Sequence, residues 1–275
     1  MFTLDVHDAR VVLDWTAILI GIPVVIGSVE DLLRYPVFAD DGMMSWRVAR
    51  LGHRVTAGGA SGAAADAVLA FPRYRFLLAA RAVAMAGVWV PGLTPWVRAV
   101  LFLFVAATLV ADMVRCTYGH SGAQQMMVCV CAALGLANAA PDGHVVQHVC
   151  LGFIALQATL AYVTSGWAKL ASAPWRSGEG LLGIMGTGFY GHPAVHRLLV
   201  RRPWLAPLAS WGTILFESSF FLVFLFGKIE VTLAFVAVAA LFHLTVALVM
   251  GLNLFFWSFA ATYPALLFCT GGSLR

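Results

Sequence analysis

Residues 145–170 read VVQHVCLGFIALQATLAYVTSGWAKL, and no Asp, Glu, Arg or Lys occurs in this stretch before Lys169. About 20 consecutive apolar residues are enough for an α-helix to cross the hydrocarbon of a bilayer. The stretch therefore predicts a spanning helix with a lysine at its end. Similar apolar runs recur along the chain, whereas the ten-residue alternation of a membrane barrel is absent, so the reading is helical. A lysine at membrane depth is costly. It calls for a partner, an escape to the interface, or a function.

The composition agrees. The 275 residues are 61% hydrophobic and 11% charged, with a mean hydropathy of +0.87. Soluble chains have roughly 45–50% apolar and about 25% charged residues. The chain is expected to be an all-α integral membrane protein forming one polytopic domain over 1–275. Eight spans are predicted, at 11–29, 76–90, 96–114, 123–139, 145–170, 208–226, 231–250 and 254–269. Long loops occupy 30–75 and 171–207. Within the first, 43–51 (MMSWRVARL) is a short basic amphipathic stretch expected to lie flat on the membrane surface. The Gly/Ala/Ser-rich run 57–67 is expected to be a mobile loop. No internal repeat is evident, which argues against a repeat-built transporter.

The net charge of +4 comes from 17 basic residues spread over the loops. They form no basic stripe, so no nucleic-acid partner is expected. Twelve basic residues, including Arg115, Lys169, Arg197 and Arg201, fall on one side of the predicted topology and four on the other. By the positive-inside rule the Lys169 side should be cytoplasmic, with both termini outside. No basic segment precedes the first apolar run, and Asp5, Asp8 and Asp14 sit in and around it, so no cleavable signal peptide is expected. Cys116, Cys129, Cys131, Cys150 and Cys269 form no CxxC pair and read as small buried hydrophobes.

The polar residues within or beside apolar runs are the candidates for chemistry. Lys169 can be a snorkelling anchor flanked by Trp167 and Trp175, or a general base whose ammonium form is disfavoured by a dry pocket. His120 lies in RCTYGHSG at the junction of the third and fourth spans. With Arg115 and Tyr118 it makes a polar cluster on the Lys169 side. Glu217 and His243 are embedded in the last spans and need partners there, and a Glu217–His243 hydrogen bond is the natural expectation. Asp14 and Asp112 raise the same question. The i, i+4 pairs His144/His148, His192/His196 and Cys116/His120 could each contribute two metal ligands, but no third is supplied, so no metal site is expected. Residues 186–191 (GTGFYG) match GxGxxG literally. With no βαβ unit around them they carry no nucleotide reading.

Residues 108–262 resemble the horizontally transferred transmembrane family. It comprises the membrane domain of vitamin K-dependent γ-glutamyl carboxylases and small bacterial proteins of peptide-toxin maturation. The resemblance rests on three places. The first is Tyr162 through Gly178, where an aromatic residue, a glycine and Lys169-Leu170 precede Trp175-Arg176-Ser177-Gly178. The second is His120-Ser121, although the family's preceding asparagine is Gly119 here. The third is Glu217 followed by Phe242-His243.

The resemblance implies a reduced quinone as cofactor, with Lys169 as the base that deprotonates it and His120 orienting its oxygen. Tyr118, Trp167, Glu217 and His243 would line the quinone site. Oxygen addition would then generate a base strong enough to remove a proton from carbon, and carbon dioxide would trap the carbanion. It further implies a peptide substrate, a bacterial plasma-membrane location, and a companion membrane or soluble subunit in place of the carboxylases' propeptide-gripping domain. The alternative is a non-enzymatic accessory to peptide maturation or export.

Overall fold

The computed structural model describes residues 7–52, 59–116 and 121–271, and no strand occurs among them. Fifteen α-helices follow one another: α1 (Ala9–Leu33), α2 (Trp46–Ala49), α3 (Gly59–Leu69), α4 (Tyr74–Val88), α5 (Pro95–Arg115), α6 (Gly122–Ala139), α7 (Val145–Ala171), α8 (Ala173–Ser177), α9 (Glu179–Met185), α10 (Pro193–Arg201), α11 (Leu205–Ser218), α12 (Leu222–Phe226), α13 (Ile229–Met250), α14 (Asn253–Ala260) and α15 (Tyr263–Thr270).

Five of these, α1, α5, α6, α7 and α13, are long and apolar enough to cross a membrane, against the eight expected. The other three expected spans take a different form. The second is α4, a helix of 15 residues. The sixth is broken into α11 and α12, and the eighth into α14 and α15. Pro264 explains the last break. It sits in the first turn of α15, where its missing N–H is harmless, whereas inside a continuous helix it would remove a hydrogen bond and clash with the preceding turn.

Helix ends are set by local chemistry. Asp8 caps α1, accepting from the Arg10 N–H at 2.8 Å. Thr94 caps α5 ahead of Pro95. Ser121 and Gln124 form a reciprocal capping box on α6. Each satisfies backbone donors that have no partner within the helix. Gly251 closes α13 in the left-handed conformation (φ 72°), its N–H returning to the Ala247 carbonyl. The chain can therefore turn sharply into α14.

Ion pairs mark the two ends of the bundle. At one end Arg10 reaches Asp142 (3.4 Å) and Arg98 reaches Asp14 (2.6 Å). This gathers the starts of α1 and α5 with the α6–α7 turn. The ring of His148, early in α7, lies 5.5 Å from that of Phe268, late in α15. At the other end Arg81 of α4 binds Ser28 and Asp31 of α1 and Asp112 of α5, and Asn253 donates to Glu30. One core of buried side chains runs through α1, α5, α6, α7 and α15. By contrast, only 11% of the most apolar window of α13 is buried, so this helix presents its apolar side chains outward.

The first long loop is more ordered than its sequence suggests. Residues 59–69 form α3 instead of a mobile loop, because alanine is the strongest helix former. Residues 53–58 lie outside the described set. Asp66 of α3 accepts from the Trp46 indole (2.7 Å) and from Arg50 (2.8 Å). Trp46 is thereby drawn inward to 2% exposure. The expected interfacial stretch 43–51 thus packs on Phe38, Leu69, Tyr74 and Leu78 through Trp46, while Met43, Val48 and Leu51 remain exposed.

Candidate functional site

The ends of α7, α11 and α13 converge on Lys169. Its Nζ donates to Glu217 Oε2 at 2.6 Å and to Ser165 Oγ at 2.5 Å. The Trp175 ring stands 5.2 Å from the ammonium and adds a cation–π contact. The Lys169 side chain keeps 17% of its exposure and that of Glu217 5%.

Local sequence explains this convergence. Ser165 and Lys169 are one helical turn apart, so both lie on one face of α7. At Gly166, three residues before Lys169, the backbone of α11 packs directly on α7. A Cβ built there would collide with the Ser218 backbone nitrogen and the Glu217 carbonyl carbon. Only glycine lets the backbone of α11 approach closely enough for Glu217 to reach the lysine.

The pair borders a cavity of about 230 Å³ between α7, α11, α13 and α14. Aromatic rings supply much of its wall: Tyr162, Phe242, His243, Phe255 and Phe259. The His243 ring stacks on Phe259 at 4.4 Å, and Tyr162 stacks on Phe220 at 4.1 Å. Deeper in, His243 Nε2 and the Tyr162 hydroxyl are hydrogen-bonded at 2.9 Å. The other ring nitrogen of His243, Nδ1, is buried without a hydrogen-bond partner. The site therefore combines a compact charge pair at its mouth with a flat-walled, mostly apolar interior.

Three of the six expected site residues, Lys169, Glu217 and His243, line this cavity. The expected Glu217–His243 bond is not made. Glu217 turns to Lys169 and His243 to Tyr162, because α7 lies between their side chains and offers each a partner. Trp167 does not join the group and is 59% exposed. Trp175 is the tryptophan over the lysine. His120 and Tyr118 lie outside the described residues.

Arg115, expected to share the site with them, is committed elsewhere. It is 1% exposed and donates to the carbonyls of Leu69, Met44 and Phe38 at 3.0, 2.8 and 2.9 Å. Its guanidinium also lies over the rings of Phe38 and Tyr74. It pins the first long loop onto α5.

The sequence reading missed Tyr162 and Ser165 as members, although both stand within the segment that carries the resemblance. It also missed a second buried network. Asp112 accepts from Tyr74 and from Arg81, the latter at 3.3 Å, and Arg81 donates from Nε to Ser28 at 2.8 Å. This answers the question raised by Asp112, as the Arg98 pair does for Asp14. One of the paired histidines has structural employment too: His144 caps α7 by accepting from Val146. Among the described residues no three His, Cys, Asp or Glu side chains converge to hold a metal ion. All five cysteines are free.

Compared with protein-family models, curated proteins and solved structures, the chain gives no match.

Proposed function

We propose that this chain is a polytopic membrane protein of eight passes whose Lys169–Glu217 pair takes a proton from the hydroxyl of a reduced quinone bound in the aromatic cavity. The eight passes would be the five long helices, α4, and the two broken segments. The contacts at the two bundle ends support that count. They put the starts of α1, α5 and α7 together at one end, and Lys169 with the end of α13 at the other. The observation that carries the functional reading is the position of the pair, a proton-handling couple at the mouth of an otherwise apolar, aromatic-walled cavity.

The couple works as one base. If it rests as ammonium and carboxylate, Glu217 accepts the incoming proton and the Lys169 ammonium faces the new oxyanion. If it rests as amine and carboxylic acid, Lys169 Nζ accepts it. Both routes end with the same species: ammonium, carboxylic acid and substrate oxyanion. The ammonium then stabilises the oxyanion in a low-dielectric site, where such a contact is strong. Ser165 fixes the Nζ direction, and Trp175 shields it.

The residues present fit a quinol head group. The rings of Phe255, Phe259 and His243 suit a flat bicycle, and the Tyr162–His243 couple offers a polar contact at depth. The cavity is smaller than the roughly 300–1,000 Å³ of a drug-sized ligand site, so it accepts the head group and leaves an isoprenoid tail outside. A bound reduced quinone would supply two electrons to molecular oxygen, and that chemistry would drive modification of a peptide.

The hydrogen bonds from Lys169 to Ser165 and Glu217 favour a second reading, in which the pair is a clasp between α7 and α11 in a non-enzymatic accessory of peptide maturation or export. One experiment separates the two. Purified protein in lipid nanodiscs is given reduced naphthoquinone, and oxygen uptake and quinone epoxide are measured for the native chain and Lys169→Ala. Epoxide formed by the native chain and lost in the variant supports the enzyme. No turnover by the native chain sinks the free-standing enzyme and leaves the clasp.

A further inference from the structure

Between α7 and α11 the chain runs outside the long helices through α8, α9 and α10. Residues 171–207 carry four arginines, Arg176, Arg197, Arg201 and Arg202, and one acid, Glu179. Helix α10 is amphipathic. Val195, Leu198 and Leu199 lie on one face, while Arg197 and Arg201, one turn apart, lie on another.

The apolar face is divided. Leu199 is buried with Met185 and Ala206 against Val249 and Met250 of α13, and Met250 also lines the Lys169 cavity. Leu198 is left 50% exposed, and Trp204 57% and Phe189 82% exposed stand nearby in the chain. Arg197, Arg201 and Arg202 are exposed, and among the described residues no carboxylate forms an ion pair with any of them. This contrasts with Arg10 and Arg98 at the opposite end of the bundle, each neutralised by an aspartate.

We infer that α10 and its flanks are a docking surface for anionic phospholipid headgroups, seated beside the mouth of the Lys169 cavity. The inference rests on the membrane-spanning reading and is independent of the quinol reading. Three unneutralised guanidiniums match phosphate oxygens in charge and in fork geometry. The exposed leucine, phenylalanine and tryptophan match the headgroup–acyl boundary, where basic amphipathic helices lie. A soluble acidic partner would account for the arginines but not for the apolar side chains between them. Because α10 packs on Val249 and Met250 through its Leu199 cluster, lipid bound there lies against the element that abuts the helix end walling the cavity.

The test is amide hydrogen exchange over residues 193–204 in nanodiscs of phosphatidylcholine, with and without phosphatidylglycerol. The native chain is compared with R197Q/R201Q/R202Q. Phosphatidylglycerol is expected to slow exchange in this segment about tenfold. The effect should vanish in the triple variant. It should also vanish for the native chain in roughly 1 M salt, where screening acts within about 3 Å. The salt arm keeps the test valid if the variant does not fold. Equal exchange in the two lipids overturns the inference and leaves the spanning reading intact. Failure of the native chain to enter nanodiscs overturns both. Protection by soluble polyglutamate, with none from phosphatidylglycerol, overturns it in favour of a protein partner.

Discussion

Lys169 and Glu217 are separated by 48 residues in the chain and by 2.6 Å in space. Among the described residues neither has a second ionic partner. Each makes the other tolerable. A buried charge that loses its partner costs far more than the pair itself gains. Lys169→Met and Glu217→Leu are each expected to destabilise the protein by about 3 kcal/mol. Lys169→Met combined with Glu217→Leu should cost clearly less than the two single changes summed. Thermal unfolding of the four proteins in one lipid composition measures the coupling, and simple additivity would contradict the pairing.

Gly166 sets the distance between α7 and α11. Gly166→Val should cost about 2 kcal/mol or more, in the range of overpacked cores, and should pull Glu217 away from Lys169. A cross-link between cysteines introduced at Ser165 and Ser218 should form in the native background and slow sharply in the variant. Unchanged cross-linking would mean that the helices do not meet at this glycine.

The second buried network is structural and should behave differently. Arg81→Met leaves the Asp112 carboxylate, 3% exposed, with only the Tyr74 hydroxyl and the weak Cys116 thiol as donors, and a loss of about 3 kcal/mol is expected. Arg115→Lys keeps the charge but loses the fork that reaches three carbonyls, at about 1–3 kcal/mol. Both variants should show lower unfolding temperatures. If quinol turnover exists, neither should change its rate at a temperature where the protein remains folded.

Cys116 supplies a pH signature at the end of α5. Burial first, and then the negative charge of Asp112, push its thiol up to about 12. The folded state therefore holds this proton more tightly than the unfolded chain does. That contribution to stability is intact below the ordinary thiol range and is lost as pH rises from about 9 through 12. Stability should fall over that window, and Cys116→Ser should flatten the fall. Alkylation of Cys116 at pH 8 should be slow, because little thiolate is present.

The helical class and most helix positions were readable from apolar runs of membrane length, and Lys169, Glu217 and His243 stood out because ionisable groups are rare in such runs. Their partners were not readable. Helical periodicity places a side chain on its own helix but does not say how that helix is rotated against another. In a segment as uniformly apolar as α13 no face is distinguished at all. The Glu217–His243 expectation failed for this reason: both residues face α7, which carries a better partner for each. The break before α15 did have a signal, Pro264 within an apolar run. Arg81 and Asp112 had one as well, since two opposite charges inside neighbouring spans almost demand each other. Helix α3 was hidden by glycine and serine, which masked the weight of its alanines.

On the proposed eight-pass reading, the 48-residue separation of Lys169 and Glu217 also has a consequence for biogenesis. The ribosome releases α7 well before α11, so Lys169 first meets the bilayer with no counter-ion. Its position in the last turn of α7 lets it wait at the headgroups. Glu217 has no such refuge, because α12 continues the apolar segment beyond it. α11 is therefore the segment whose insertion depends on an earlier one, and the lysine already in place is what makes its entry favourable.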